Sequence, residues 1–207
     1  MATIENAGEF LEWLEEFAQS MRGEGGGNVP CGGCVACCTS SKFIHIRPTD
    51  TLSLNVIPKE LMFAAPGLPN GHLLLGYDKH GCCPMFREGK CSIYEYRPET
   101  CKQYDCRVFA ATQDMAYEES PAIKERIKTW RFKYSTNKSV EAQQAVNVAI
   151  KFLADNATRF PKGVVPRTLP QRAVMAIRIH TEFIGYKNEM DKEIGLLIDK
   201  ITLKLSG

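Results

Sequence analysis

Several features are scarce in this 207-residue sequence, and each absence argues against a class of protein. No apolar run approaches the roughly 20 residues that span a bilayer, which argues against a membrane-embedded protein. Residues 1–21 contain five Glu and no Lys or Arg, and this predicts neither a secretory signal nor a transit peptide. We therefore expect a cytoplasmic protein with reduced cysteines.

The charge lacks any dense Lys/Arg run, but it is distributed unevenly. Residues 1–120 carry 10 Lys/Arg and 16 Asp/Glu, a net −6, whereas residues 121–207 carry 16 Lys/Arg and 8 Asp/Glu, a net +8. The basic half could contact an acidic ligand or an unidentified protein partner. Because its charges alternate with apolar residues, solvated helix faces are the favoured interpretation, and nucleic-acid binding is disfavoured.

Hydrophobic residues make up 44% and charged residues 24% of the chain, as in folded globular proteins. The hydrophobic periodicity predicts a mainly α-helical protein with a small, irregular β-containing cysteine-rich module, an α+β class. The predicted helices cover residues 3–22, 98–111, 122–134, 140–160 and 171–205, and Gly185 and Gly195 could split the last one. The predicted strands cover residues 43–46, 73–77, 83–86 and 93–96.

We expect one domain over residues 1–207. It comprises an N-terminal helix and Gly-rich linker at 1–28, a cysteine-cluster metal-binding module at 29–111 and a helical part at 112–207 packed on that module. The module is too small and irregular to bury enough apolar surface unaided, so we expect the parts to share one core.

Nine cysteines fall between residues 31 and 106, with none before or after. The first four form a Cys-x2-Cys-x2-Cys-Cys pattern, and the others are a doublet followed by three more: Cys31, Cys34, Cys37, Cys38, then Cys82, Cys83, Cys91, Cys101 and Cys106. Thiolates are soft ligands that select zinc or iron–sulfur clusters, and x2 spacing lets neighbouring thiolates converge on one centre. This density favours metal ligation over buried structural cysteines or disulfides.

Helical geometry predicts which neighbouring cysteines serve different metal centres. If residues 34–38 are helical, Cys37 and Cys38 point about 100° apart, which suits two adjacent metal centres or different corners of one cluster. On one continuous helix, Cys101 and Cys106 would lie about 140° apart, so they more naturally serve different centres. The count allows two four-thiolate sites with Cys82 to spare.

These residues carry a family resemblance. The segment CGGCVACC, followed by CPMFREGKCSIYEYRPETCKQYDC, resembles the CxxCxxCC family of zinc- or iron-chelating domains, also described as YkgJ-type cysteine-cluster proteins. The resemblance covers about residues 31–106. It implies eight metal ligands, namely Cys31, Cys34, Cys37, Cys38, Cys83, Cys91, Cys101 and Cys106. It also draws attention to Tyr94, Arg97 and Pro98.

Three functions follow from this pattern as hypotheses. The preferred one is a redox or enzymatic role at one or two iron–sulfur clusters, with zinc as a further ion. The second is a zinc-stabilised protein- or nucleic-acid-interaction module. The third is a protein-modifying enzyme, because flagellin lysine N-methylase contains a similar cysteine cluster. The present sequence contains neither a Gly-rich strand–turn–helix motif nor a CxxxCxxC motif for S-adenosylmethionine.

Other side chains near the cluster have two interpretations each. Arg97 could donate to cluster sulfurs or bind an anionic substrate, but neutralising the thiolate-rich site is favoured, with Pro98 starting a helix. His80 could replace a cysteine ligand, although none of the four histidines lies in a metal-binding pattern. The aromatic residues 130, 132 and 134 could stack on nucleic-acid bases, but a partly buried strand or helix face is preferred.

Overall fold

The computed structural model describes residues 4–24, 29–113, 120–186 and 191–206. The chain divides into two compact units. We call residues up to 18, 107–118 and 127–207 the helical unit, and residues 19–106 and 119–126 the cysteine unit. The predicted α+β class, mainly helical with small sheets, is confirmed.

The helices and strands alternate irregularly along the chain. The strands are β1 (Glu5–Glu9), β2 (Ile44–Ile46), β3 (Met62–Ala64), β4 (Leu73–Leu75), β5 (Phe86–Arg87), β6 (Lys90–Cys91) and β7 (Trp130–Lys133). The helices are α1 (Phe10–Met21), α2 (Thr51–Val56), α3 (Glu99–Gln103), α4 (Arg107–Ala111), α5 (Pro121–Thr129), α6 (Asn137–Asp155), α7 (Leu169–Ile179) and α8 (Asp191–Ser206). No helix in the described ranges has both the length and the apolar character to cross a membrane.

The predicted N-terminal helix over residues 3–22 was wrong over residues 5–9. Residues 5–9 instead form strand β1, which pairs in parallel with β7. Gly8 has a φ of +100°, which a helix does not allow, and the partner strand lies more than 120 residues away. Local periodicity therefore could not reveal the pairing.

Strand β7 also corrects the predicted helix over 122–134, because that helix ends at Thr129. Trp130 is only 3% exposed, and the ring of Phe132 packs edge-on against that of Phe10 at 5.1 Å. These two aromatic side chains pack in the helical unit, in agreement with the predicted partly buried strand or helix face.

The carboxylate of Glu9, the last residue of β1, accepts hydrogen bonds at the starts of α1 and α6 within the helical unit. It accepts backbone N–H groups of Leu11 and Ser135 at 2.7 and 3.2 Å, together with the Ser139 hydroxyl. The hydrogen bond from Ser139 lowers the pKa of Glu9, with the backbone donors contributing in the same direction. Thr136 caps α6 by accepting the Ser139 N–H at 3.1 Å. The helix therefore begins earlier than the predicted helix over residues 140–160.

The predicted helix over 171–205 is interrupted. Helix α7 ends at Ile179, a 3₁₀ turn follows at His180–Phe183, and α8 starts at Asp191. The interruption lies near Gly185, whose φ is +71°, whereas Gly195 lies inside α8. The predicted stretch at 187–190 lies outside the described residues.

Glu182 forms pH-dependent ion pairs within the helical unit. Its carboxylate contacts the ammonium groups of Lys200 at 2.6 Å and Lys204 at 2.8 Å, and these bonds lower the pKa of Glu182 to about 2. A depressed folded-state pKa stabilises the fold above the ordinary glutamate pKa, and this contribution is lost as the pH falls towards 2. Both lysines are solvent-exposed, so we expect Glu182→Gln to lower the unfolding free energy by only about 1 kcal/mol at pH 6.

Urea unfolding at pH 6 and pH 3 measures this effect. The difference between the wild type and Glu182→Gln should shrink at pH 3, whereas Glu141→Gln, on an exposed part of α6, should cost little at either pH. An equal deficit of Glu182→Gln at both pH values would contradict the assigned ion pairs.

The cysteine unit is built on a three-stranded antiparallel sheet with the order β2-β4-β3. The predicted strands at 43–46 and 73–77 are confirmed as β2 and β4, each shorter than predicted. Alternate residues of the sheet, including Ile46 and Leu75, pack with Met85 and Ile93 in a small core. This core also contains buried Cys83 and is flanked by Cys38 and Cys91, so the sheet positions part of the cysteine cluster.

Three other predictions in this unit were wrong in detail. Residues 83–86 form a turn leading into the β5–β6 hairpin, and the predicted strand at 93–96 contains a 3₁₀ turn at Tyr94–Tyr96. The predicted helix over 98–111 breaks at residues 104–106 into α3 and α4. The expectation of one domain over residues 1–207 stays a prediction.

Candidate metal centre

The cysteines of the cysteine unit surround one cavity of about 270 Å³. Its lining includes seven of the eight predicted ligands: Cys31, Cys34, Cys37, Cys38, Cys83, Cys91 and Cys101. The eighth, Cys106, is buried, and among the thiols it has the largest electrostatic effect on Cys37. The fold therefore brings together four chain segments separated by up to 75 residues, although metal ligation by these residues stays a prediction.

The backbone turns tightly in the first cysteine segment, residues 31–38. The N–H of Cys34 donates to the carbonyl of Cys31 at 2.9 Å, and Gly32 between them has a φ of +55°. A 3₁₀ turn follows at Ala36–Thr39. With three residues per turn, Cys37 and Cys38 point about 120° apart, slightly more than a helix would give.

The cysteine doublet packs against this first segment through its backbone. The N–H of Cys83 donates to the carbonyl of Cys38 at 2.7 Å, and the N–H of Ser41 donates to the carbonyl of Gly81 at 2.9 Å. Gly81 has a φ of +78°, and a Cβ there would lie 2.2 Å from the Ser41 Oγ. Glycine is therefore required for the close approach that holds the two cysteine segments together.

Two further anchors position Cys91 and Cys101. Cys91 is in the β5–β6 hairpin, opposite Phe86. Helix α3 carries Cys101, and its first N–H, on Glu99, donates to the carboxylate of Asp50 at 3.0 Å. The hydroxyl of Thr100 donates to the carbonyl of His45 at 2.7 Å, which ties α3 to the edge of the sheet.

The strongest electrostatic effects among the eight thiols fall within two groups of four, and weaker effects link Cys37 to Cys38 and to Cys101 across the groups. The first thiol group comprises Cys31, Cys34, Cys37 and Cys106. Although part of the Cys37 residue is exposed, its sulfur is desolvated, and this burial together with nearby thiols, led by Cys106 and Cys31, raises the pKa of Cys37 to about 12.

The second thiol group comprises Cys38, Cys83, Cys91 and Cys101. The thiol of Cys38 donates a hydrogen bond to the sulfur of Cys91, which lowers the pKa of Cys91 to about 6 and raises that of Cys38. Burial raises the pKa of Cys101 to about 12, and the nearby thiols of Cys83 and Cys91 contribute in the same direction. The adjacent Cys37 and Cys38 thus belong to different groups, as do Cys101 and Cys106.

Cys82, the ninth cysteine, is not part of the cavity lining. Its N–H donates to the carboxylate of Asp78 at 2.9 Å. His80 is exposed nearby and does not line the cavity either. That Cys82 is the spare cysteine stays a prediction.

The charged lining of the cavity is entirely cationic. It contains Lys42, Lys90, Arg97 and Lys102, and no Asp or Glu is among the lining residues. The guanidinium of Arg97 lies 3.9 Å from the centroid of the Tyr94 ring, and its NH1 group donates to the Tyr94 carbonyl at 2.8 Å. Its positive charge lowers the pKa values of Cys31, Cys91 and Cys101, partly offsetting burial at Cys31 and Cys101. Arg97 thus acts electrostatically on cysteines of both thiol groups, and its predicted role of neutralising a thiolate-rich site stays a prediction.

Sequence reasoning missed the side chains that support the cavity from the sheet. His45 and His72 share a hydrogen bond between ring nitrogens at 2.8 Å, with nearly parallel ring planes. The carboxylate of Asp50 accepts from the N–H groups of Arg47 and Glu99. His45 and His72 lie 27 positions apart, and Asp50 and Glu99 lie 49 apart, so no local pattern could have identified these two contacts.

The donor set fits a thiophilic metal in type and number. Eight thiols in two groups of four match the coordination numbers of structural zinc and of iron–sulfur clusters. Among the described residues, no group of three or more Cys, His, Asp or Glu is arranged so that it could hold an ion as it stands. Binding of such a metal would displace the thiol protons.

Comparison with known proteins supports the same chemistry. No curated protein and no solved structure matches the chain. A family model, CxxCxxCC, described as "Putative zinc- or iron-chelating domain", matches residues 30–138, which is more than half of the sequence. This match includes all nine cysteines, and the chain therefore belongs to the CxxCxxCC family.

Proposed function

We propose that this protein holds two iron–sulfur clusters, one in each thiol group, and that it has a redox or enzymatic role. The observation that carries the proposal is the cavity that seven of the eight candidate cysteines line together, and the electrostatic effects among the thiols fall mainly within two groups of four. Four cysteine ligands are the usual complement of a [2Fe–2S] or [4Fe–4S] cluster. When bound, such clusters would supply one-electron transfer.

The arrangement of the free thiols supports a cluster over a single ion. Seven of the eight candidate cysteines line a cavity of about 270 Å³. A cluster of several iron and sulfide atoms occupies more space than one ion. The four cationic side chains of the lining are suited to compensating the negative charge of thiolate-ligated clusters.

The placement of two cysteines favours zinc as a second candidate. Cys38 and Cys91 line the same cavity and pack against the same small core, as two ligands of one small ion would. Zinc bound by four thiolates would contribute free energy to folding, and the protein would then serve as an interaction module. Under this proposal the partner is an acidic ligand or protein that binds the basic C-terminal half of the chain.

The deciding experiment is metal and acid-labile sulfide analysis, with a visible absorption spectrum, on protein purified without oxygen. We expect a brown protein with equal amounts of iron and sulfide. A colourless protein with about two zinc ions per chain would overturn the cluster proposal and support the zinc module. A protein that binds neither metal after anaerobic reconstitution would contradict both.

A further inference from the structure

We propose that His45 and His72 form a second kind of metal site, in which two imidazole rings bind one divalent late-transition-metal ion such as nickel, copper or zinc. The site lies outside the thiol cavity, whose lining contains neither histidine. It does not depend on which metal the thiol groups bind. The placement of two ring nitrogens carries the proposal.

The two imidazole rings meet edge to edge, although their residues lie 27 positions apart in the sequence. Nε2 of His45 and Nδ1 of His72 are 2.8 Å apart and share a hydrogen bond. The ring centroids are 5.0 Å apart, and the ring planes differ by only 14°. In a face-to-face stack the centroids would lie nearly as close together as the contacting nitrogens. Here the centroids are much farther apart, so the two nitrogens point towards each other.

The separation of these nitrogens matches what one ion requires. Two nitrogens bound to one ion at about 2.0–2.1 Å lie about 2.8–3.4 Å apart, the shorter value for a 90° angle and the longer for a tetrahedral angle. The observed 2.8 Å is at the lower end of this range. The rings can therefore bind an ion by turning about their side-chain bonds, with little change in the nitrogen–nitrogen distance. Imidazole is a suitable ligand for zinc, copper and nickel.

The backbone on both sides of the pair is held in place. Helix α3 donates a side-chain hydroxyl to the carbonyl of His45 at 2.7 Å, and the carbonyl of His72 accepts the N–H of Ala65 at 3.0 Å. Gly71, with a φ of +91°, lies so close to Pro48 that a Cβ there would be 3.2 Å from the Pro48 Cγ. The fold thus positions the two rings before any ion binds.

The pair is accessible on the face of the sheet opposite the cavity. His45 alternates along β2 with Ile44, which lines the cavity, so the His45 side chain lies on the other face. Both histidines are partly exposed, and a hydrated ion can reach them. Among the described residues no third donor completes a group around an ion, so water would fill the remaining coordination positions.

Binding requires no redox step and no net loss of protons. Each neutral imidazole carries one proton, and one of these two protons lies in the shared hydrogen bond. That proton moves through solvent to the other nitrogen of the donor ring, which leaves an electron pair on each contacting nitrogen for the ion. The ion then joins β2 to the residue before β4. Binding should therefore stabilise the sheet that positions part of the cysteine cluster.

The test titrates the full chain, purified without oxygen and holding its own metal, with nickel chloride in a calorimeter. NMR of the imidazole rings then identifies the histidines that bind, because octahedral nickel is paramagnetic and broadens the signals of its ligands. We expect one nickel ion per chain at this site. The ring signals of His45 and His72 should broaden first, whereas that of His80, which is exposed elsewhere in the cysteine unit, should persist.

Histidine variants measure the contribution of each ring. His72→Gln should weaken nickel binding by more than about tenfold, because removing even a partner of a metal ligand costs about 10–100-fold in affinity. His45→Gln should have the same effect from the other side of the pair. The matched control is His80→Gln, which should bind nickel as the wild type does. Circular dichroism checks that each variant is folded.

Unchanged ring signals of His45 and His72 at saturating nickel would overturn the proposal. Equal nickel affinity in the wild type, His45→Gln and His72→Gln would overturn it as well. Nickel held only by thiols would leave both ring signals unchanged and so counts against the site. A protein that binds neither iron nor zinc would contradict the proposed function, whereas the ring signals would still decide the histidine site.

Discussion

Replacing Cys83 by serine is expected to remove about half of the bound metal, and Cys34→Ser should do the same. Cys83 belongs to the second thiol group and Cys34 to the first, so each variant should lose one centre and keep the other. A serine hydroxyl is a hard, neutral donor that cannot replace a thiolate towards zinc or iron. The double variant should then bind almost no metal.

The adjacent Cys82 provides a matched control for this experiment. Cys82→Ser changes the same chemical group one residue away, at a position outside the cavity lining, and should leave the metal content unchanged. Metal analysis of the four variants, each purified without oxygen, gives the stoichiometry directly. Full metal content in Cys34→Ser or Cys83→Ser would refute the assignment of that cysteine, and loss in Cys82→Ser would refute its exclusion.

Removing the metal from the wild type is expected to unfold most of the cysteine unit while the helices of the helical unit stay folded. The buried core of the cysteine unit is small, and its strands are only two or three residues long. Structural zinc sites contribute about 10–16 kcal/mol of apparent binding free energy, which exceeds what so small a core supplies. In contrast, α6, α7 and α8 bury a larger apolar cluster that includes Phe152, Leu153 and Ile201.

Hydrogen exchange followed by mass spectrometry can compare the metal-loaded and chelator-treated protein. Peptides from residues 31–106 should lose protection by at least a hundredfold, whereas peptides from α6 should change little. Restoring metal should restore the protection. Unchanged protection of residues 31–106 in protein proven free of metal would show that the module folds without it.

The sequence by itself determined the chemistry of the candidate site. Cysteine spacing and doublets are local features, and they predicted thiolate metal sites with Cys82 to spare, while the family resemblance implied the eight candidate ligands. The mainly helical class followed from the periodicity of the apolar residues.

Only the tertiary structure decided which cysteines are neighbours and where several elements end. Strands β1 and β7 form because they pair with each other across more than 120 residues, and this pairing overrides a helical pattern in both segments. The break between α3 and α4 places Cys101 near Cys83 and Cys91, and Cys106 near Cys37. The contacts of Cys38 with Cys91 and of His45 with His72 likewise depend on how distant segments pack, which local sequence patterns do not encode.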